Sequence, residues 1–252
     1  MVASVCSGQR SVVVSVNQSN PSEQTGRFNS PLFFSGLLAV FAWVTYAMYQ
    51  VFMVVPNEVT MGPVQRIFYF HVGAAFATYA AAFCVLIGSL GFLALGRAAF
   101  DTLQLAAAEV GALFCSIVLV TGMIWAQSAW NIPFSFREPR LVSTLVLWLL
   151  LVAVVGLRKF TPPEEAPRFC AVFGLLGAVM VPVVVYSVKF LSPVGQLHPV
   201  VVEHGGLREE TFRFAFWISN GALVALALLL IYVRRQIATL ENDFVEKSDA
   251  GS

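Results

Sequence analysis

The sequence predicts an all-α, polytopic membrane protein with six transmembrane helices. Three observations predict it. Hydrophobic residues make up 58% of the 252 and charged residues only 12%, whereas about a quarter of a soluble domain is charged. Mean hydropathy is +0.78. The apolar residues collect into six runs, most of which reach the ~20 residues that cross ~30 Å of hydrocarbon.

Residues 1–31 are polar and rich in Ser, Asn and Gln, and read as a disordered tail. Ser11 to Val16 is too short for the core of a signal peptide. The membrane domain covers residues 32–233. Its runs are 32–55, 67–95, 103–125, 141–157, 169–190 and 212–233, and each must be helical because lipid cannot satisfy backbone groups. The fourth is short and gains reach from Arg158 and Lys159, whose long side chains can snorkel. Pro182 lies inside the fifth and is expected to kink it. Residues 234–252 form a charged tail that fits a short exposed helix.

Lys and Arg set the orientation. Arg10, Arg27, Arg97, Arg158, Lys159, Arg168, Arg234, Arg235 and Lys247 fall on one side; Arg66, Arg137, Arg140, Lys189, Arg208 and Arg213 fall on the other. The excess puts both termini in the cytoplasm. Four of the outward cations, Arg66, Arg137, Arg140 and Arg208, lie near a histidine or in an aromatic stretch, which hints at an anionic ligand there.

Several function classes fall away. A net charge of +1 gives no sign of nucleic-acid binding. The cysteines Cys6, Cys84, Cys115 and Cys170 include no CxxC pair, so a thioredoxin-like site and covalent haem attachment are both absent. Ser and His form no recognisable nucleophile motif. Zinc could use His198, Glu203 and His204, but the spacing is loose and no HExxH occurs.

The joint between the third and fourth runs, Trp125 to Ser143, is the densest chemistry in the chain. It carries Trp125, Trp130, Phe134, Phe136, Arg137, Glu138 and Arg140, and Asn131 with Pro133 opposes a continuous helix through it. Flat rings beside paired arginines suit a flat apolar ligand with carboxylate arms. Taken alone, the stretch fits an interfacial aromatic belt better. The histidines bear on the choice. His71 lies a turn or so into the second helix on the face of Val64, Ile67 and Phe68, and His198 lies in Gln196-Leu197-His198-Pro199. Two neutral imidazoles from separate helix ends could bind the two axial positions of a haem iron; each could equally hydrogen-bond backbone at a helix end. Glu109 is the only charged residue inside the third run. It is either a functional carboxylate or a protonated one bonded to a neighbouring backbone.

Met61-Gly62-Pro63-Val64-Gln65-Arg66-Ile67-Phe68-Tyr69-Phe70-His71-Val72 resembles the start of the second helix in the CcmC family, the inner-membrane haem-handling proteins of cytochrome c maturation. Ala108-Glu109-Val110-Gly111, Ile124-Trp125-Ala126 and Leu197-His198-Pro199 are similar as well. The likeness spans roughly residues 32 to 233. It departs at the family's tryptophan-rich segment, approximately WGxxWxWDxRLTS. Trp130 and Arg140-Leu141-Val142-Ser143 match its ends, while Asn131 to Arg137 puts phenylalanine or other residues where tryptophan is usual and Glu138-Pro139-Arg140 replaces Asp-x-Arg.

The resemblance implies haem b as a transiently held cofactor, with His71 and His198 as axial ligands of the iron. It implies that residues 125–143 form the platform, and that haem passes to a membrane-anchored periplasmic chaperone. ABC-type transporter subunits of the same system would be further partners, and the protein would be a carrier in the bacterial inner membrane rather than an enzyme. Chemistry adds Arg137 and Arg140 for the propionates and Trp130, Phe134 and Phe136 for packing on the ring. Two other classes stay open: an electron-transfer subunit with structural haem, which would put His pairs on facing helices, and a transporter or scaffold whose aromatic loop is a belt.

Overall fold

The structure, a computed structural model, describes residues 30–57, 62–191 and 209–250. Six of its helices are long and apolar enough to cross a membrane, and the described residues contain no strand. The chain is a multi-pass, all-α membrane protein.

Helix α1 (Pro31–Tyr49) starts at Ser30, whose hydroxyl accepts from the Phe33 N–H at 3.2 Å, with Pro31 in the first turn. It closes in a π turn, Gln50–Val54. A 3-10 turn, Pro63–Arg66, leads into α2 (Ile67–Leu95). α2 ends at Gly96, which takes the left-handed conformation (φ 64°) that glycine adopts without strain. α3 follows at once (Ala98–Trp130), then α4 (Pro139–Phe160), α5 (Ala166–Leu191) and α6 (Glu210–Ala250). The charged C-terminal stretch is not a separate element: α6 runs unbroken for 41 residues. At 1.5 Å per residue that is about 60 Å, twice the hydrocarbon thickness, so its charged end leaves the bilayer.

Packing follows side-chain size. α2 buries Gly73, Ala74, Ala77, Thr78, Ala81, Ala82, Val85, Gly88 and Ser89, a stripe of mostly small residues at helical spacing. It makes its most extensive contact with α3 and also touches α5 and α6, so it is the central helix. The approach is close. A Cβ added at Gly88 would lie 2.7 Å from the Gln104 backbone nitrogen. α1 stands outside the core, packed on α6 and the start of the bundle; Leu38 and Phe41 there are both 68% exposed, as suits a lipid-facing row. Cys115 and Cys170 are buried free thiols, as expected for small apolar residues.

Alternation of the helices gives the bundle two ends. At one end sit the Gly96–Arg97 turn, the α4–α5 turn and the C-terminal part of α6; Asp101 marks it. At the other sit the starts of α2, α4 and α6, and His71 marks it.

The Asp101 end is held by charge. Arg158 does not reach away from the bundle: its Nη2 meets Asp101 Oδ1 at 2.5 Å. Gln104 donates to Asp101 Oδ1 at 2.7 Å and to the Pro167 carbonyl at 3.2 Å, and accepts from the Ser89 hydroxyl at 3.1 Å. Glu109 meets a charged partner rather than a neighbouring backbone. Its two carboxylate oxygens pair with Nε and Nη2 of Arg234, which also donates to Glu241 at 3.1 Å. A carboxylate in this apolar helix is tolerable because a guanidinium from α6 meets both of its oxygens.

Candidate functional site

His71 is the fifth residue of α2 and is half-buried against α3. Its Nδ1 lies 3.1 Å from the Thr121 hydroxyl. That hydroxyl in turn donates to the Ile117 carbonyl at 2.6 Å, one turn back on its own helix. The ring edge rests on Gly122: a Cβ there would come within 3.0 Å of Cε1 and 3.5 Å of Nδ1. The Val118 carbonyl lies 3.4 Å from the same Thr121 hydroxyl. Arg140, the second residue of α4, lies at the same end of the bundle as His71.

The segment from Trp125 to Ser143 begins and ends in helix. Trp125 is half-buried on α3, one turn beyond Thr121 and so on the same helix face. Trp130 is the last residue of α3; its side chain is outside the described set. Asn131 ends the helix with φ 56°, a left-handed conformation that asparagine tolerates, and its Oδ1 accepts from Gln127 Nε2 at 3.0 Å. Phe134 and Phe136 pack edge to face with centroids 5.1 Å apart. Phe136 is 80% exposed. Arg137 is exposed, and its backbone N–H donates to the Ser135 hydroxyl at 3.2 Å. Glu138 is buried at the N-cap position of α4, where a carboxylate suits the positive end of the helix dipole. Arg140, half-buried, reaches the Val185 carbonyl of α5 at 3.4 Å.

The bundle therefore brings His71, Trp125 and Arg140 to one end, with Phe134, Phe136 and Arg137 on the connection between α3 and α4. His198 lies outside the described residues, as do Glu203 and His204. Among the described residues no three His, Cys, Asp or Glu side chains gather as a metal site. Thr121 and Gly122 escape a reading of the sequence. The only signal for them is a hydroxyl followed by glycine one turn before Trp125 in an apolar run.

Comparison with known proteins decides the kinship. The profile of the CcmC family, described as "Heme exporter protein C", matches residues 16–248. The chain belongs to the CcmC family. Heme exporter protein C of Bradyrhizobium diazoefficiens is 27% identical over 193 residues, covering 76% of this chain and 71% of the relative. A ccmC-like mitochondrial protein of cytochrome c biosynthesis from Marchantia polymorpha is 28% identical, covering 65% of this chain and 70% of its own. Heme exporter protein C of Escherichia coli K12 is 34% identical over 149 residues, 56% of this chain and 58% of the relative. In this CcmC chain, then, the altered aromatic segment sits within the matched region, and the family kinship holds despite its missing tryptophans.

Proposed function

We propose that this protein handles haem for cytochrome c maturation. It holds haem b at the outer face of the bacterial inner membrane and delivers it to a membrane-anchored periplasmic haem chaperone, working beside ABC-type transporter subunits. Both termini, with the tails 1–31 and 234–252, lie in the cytoplasm, and the His71 end faces outward. The protein acts as a carrier and not as an enzyme.

The observation that carries this reading is His71. A half-buried imidazole is oriented by a hydroxyl and backed by glycine, at the end of the bundle where Phe134, Phe136, Arg137 and Arg140 lie. Those residues fit haem. A neutral imidazole can donate a lone pair to iron. Exposed or half-buried rings offer apolar area to the porphyrin face. Arg137 and Arg140 can take the propionates through charge-assisted bonds. Trp125 and Trp130 add to the platform, and Glu138 supports it from the α4 cap. His198 is the second axial ligand by its family motif. Family membership supports haem as the cargo.

The absorption spectrum of the purified protein tests the reading. His71→Ala and His198→Ala should each lower the haem-to-protein ratio and convert a low-spin spectrum, because each removes an axial bond. His204→Ala should leave both unchanged. Loss of the spectrum in His204→Ala with retention in His198→Ala would refute the assignment. Reporter fusions at Gln127 and Thr161 test the orientation, and the Gln127 fusion should report outside. The 80% exposure of Phe136 favours one rival, a membrane belt without ligand; a wild-type protein that never retains haem would be its signature.

A further inference from the structure

We infer that Thr121 and Gly122 are positioning residues for His71: together they fix its neutral tautomer with the proton on Nδ1 and hold the ring so that the Nε2 lone pair is the one offered to iron. The inference rests on the haem reading above, but its first consequence concerns the empty protein and stands apart from haem.

The argument is one of proton accounting. A threonine hydroxyl has one proton and two acceptor lone pairs. Thr121 directs that proton at the Ile117 carbonyl, at 2.6 Å, the shortest of its three contacts; the other carbonyl, Val118, lies farther off at 3.4 Å. What remains toward His71, at 3.1 Å, is a lone pair. A lone pair can only accept, so Nδ1 is the donor and carries the hydrogen. A neutral imidazole has one N–H, so Nε2 is then unprotonated. The same logic governs histidine ligands generally, in which the outer hydrogen bond sets which nitrogen meets the metal and raises its basicity.

Gly122 supplies the second constraint. With 3.0 Å from a would-be Cβ to Cε1, any side chain at this position would have to push the ring. Glycine lets the imidazole lie directly on the α3 backbone. The two residues are neighbours, fifty positions from His71, and act on different degrees of freedom: Thr121 on the proton, Gly122 on the ring plane.

The first measurement is nitrogen-15 NMR of histidine-labelled, haem-free protein in nanodiscs, with the His71 signal assigned by its loss in His71→Ala. The wild type should show the Nδ1–H tautomer. Thr121→Val keeps the shape and removes the acceptor, so the Nε2–H form should appear. Thr121→Ser keeps the hydroxyl and should restore the wild-type signal. The second measurement is haem affinity and midpoint potential. Thr121→Val should lose ~10-fold in affinity, the scale usual for an outer partner of a metal ligand, and its potential should rise because the imidazole becomes a weaker donor. Thr121→Ser should recover both. Gly122→Ala should weaken haem binding while the apo tautomer stays Nδ1–H, with monodispersity in detergent as the folding control.

A Thr121→Val protein with an unchanged apo tautomer would overturn the inference. Unchanged affinity and potential in that variant would overturn its link to iron. If His71→Ala retains haem fully while the tautomer responds as expected, the haem reading fails and the Thr121 seat survives.

Discussion

The described residues at the two ends of the bundle hold charge differently. At the Asp101 end, acids and bases from different helices are joined to one another: Asp101 with Arg158, Glu109 with Arg234, and Glu241 beside them. At the His71 end, Arg137 is exposed, and Arg140 meets a backbone carbonyl at the long distance of 3.4 Å. In hydrocarbon a charge is costly unless paired. Pairing across helices therefore locks rotation and register, which is what the first end needs. The second end has Arg137 on the same connection as Phe134 and Phe136, Arg140 just after it on α4, and an imidazole held by a hydroxyl, which is the arrangement the proposed haem site uses.

The largest expected effect would break this contrast from the receiving side. Replacing Trp130, Phe134 and Phe136 together by alanine should remove most retained haem, because each ring contributes burial plus ~0.5–1.5 kcal/mol of stacking. A single replacement should only weaken retention. The haem-to-protein ratio with a monodispersity check measures both. A triple variant that keeps its full haem complement would make this segment a membrane belt.

The next tests the locking end. Arg234→Ala strands the Glu109 carboxylate and should cost up to about 3 kcal/mol of stability, below the full value for a buried pair because about a quarter of each side chain is exposed. Removing Glu109 as well should recover part of it. Thermal unfolding in detergent reads the loss. Haem per folded molecule should not change; if it falls, the two ends are coupled.

A smaller effect is expected at Arg140. Arg140→Ala should reduce haem retention about 3- to 10-fold, the worth of a partly screened charge-assisted bond. Arg140→Lys should rescue it only in part if the contact is bidentate. Full rescue would reduce Arg140 to a point charge.

A last contrast, in stability alone, is between glycines. Gly88→Ala should destabilise by about 1–3 kcal/mol, since its methyl would meet the Gln104 backbone. Gly156→Ala, with nothing within 4 Å, should be neutral or slightly stabilising. Equal thermal midpoints would mean that α2 and α3 can separate without cost.

Much of the fold was legible in the sequence because it rests on local quantities. Hydropathy and length decide whether a segment crosses a bilayer, and the six runs needed no partner to be recognised; the helices extend them by a few residues at most ends. The motif from Met61 to Val72 carried the family. Asn131 and Pro133 marked the break between α3 and α4, and the helix does end at Asn131. The charged C-terminal stretch is helical as read, but it continues α6 without a break, because loss of hydropathy ends a membrane span and not a helix.

The sequence by itself determined the membrane class, the six crossings and the kinship. The tertiary structure alone decided that Glu109 pairs with a residue 125 positions away, and that His71 rests on Thr121 and Gly122 fifty positions on. The physical reason is rotational. An apolar run says that a helix will form, but its hydropathy is nearly uniform around the axis, so nothing local tells which face meets which neighbour. That is set by where small residues allow close approach, as along α2, and by which polar groups can be satisfied together once the helices touch.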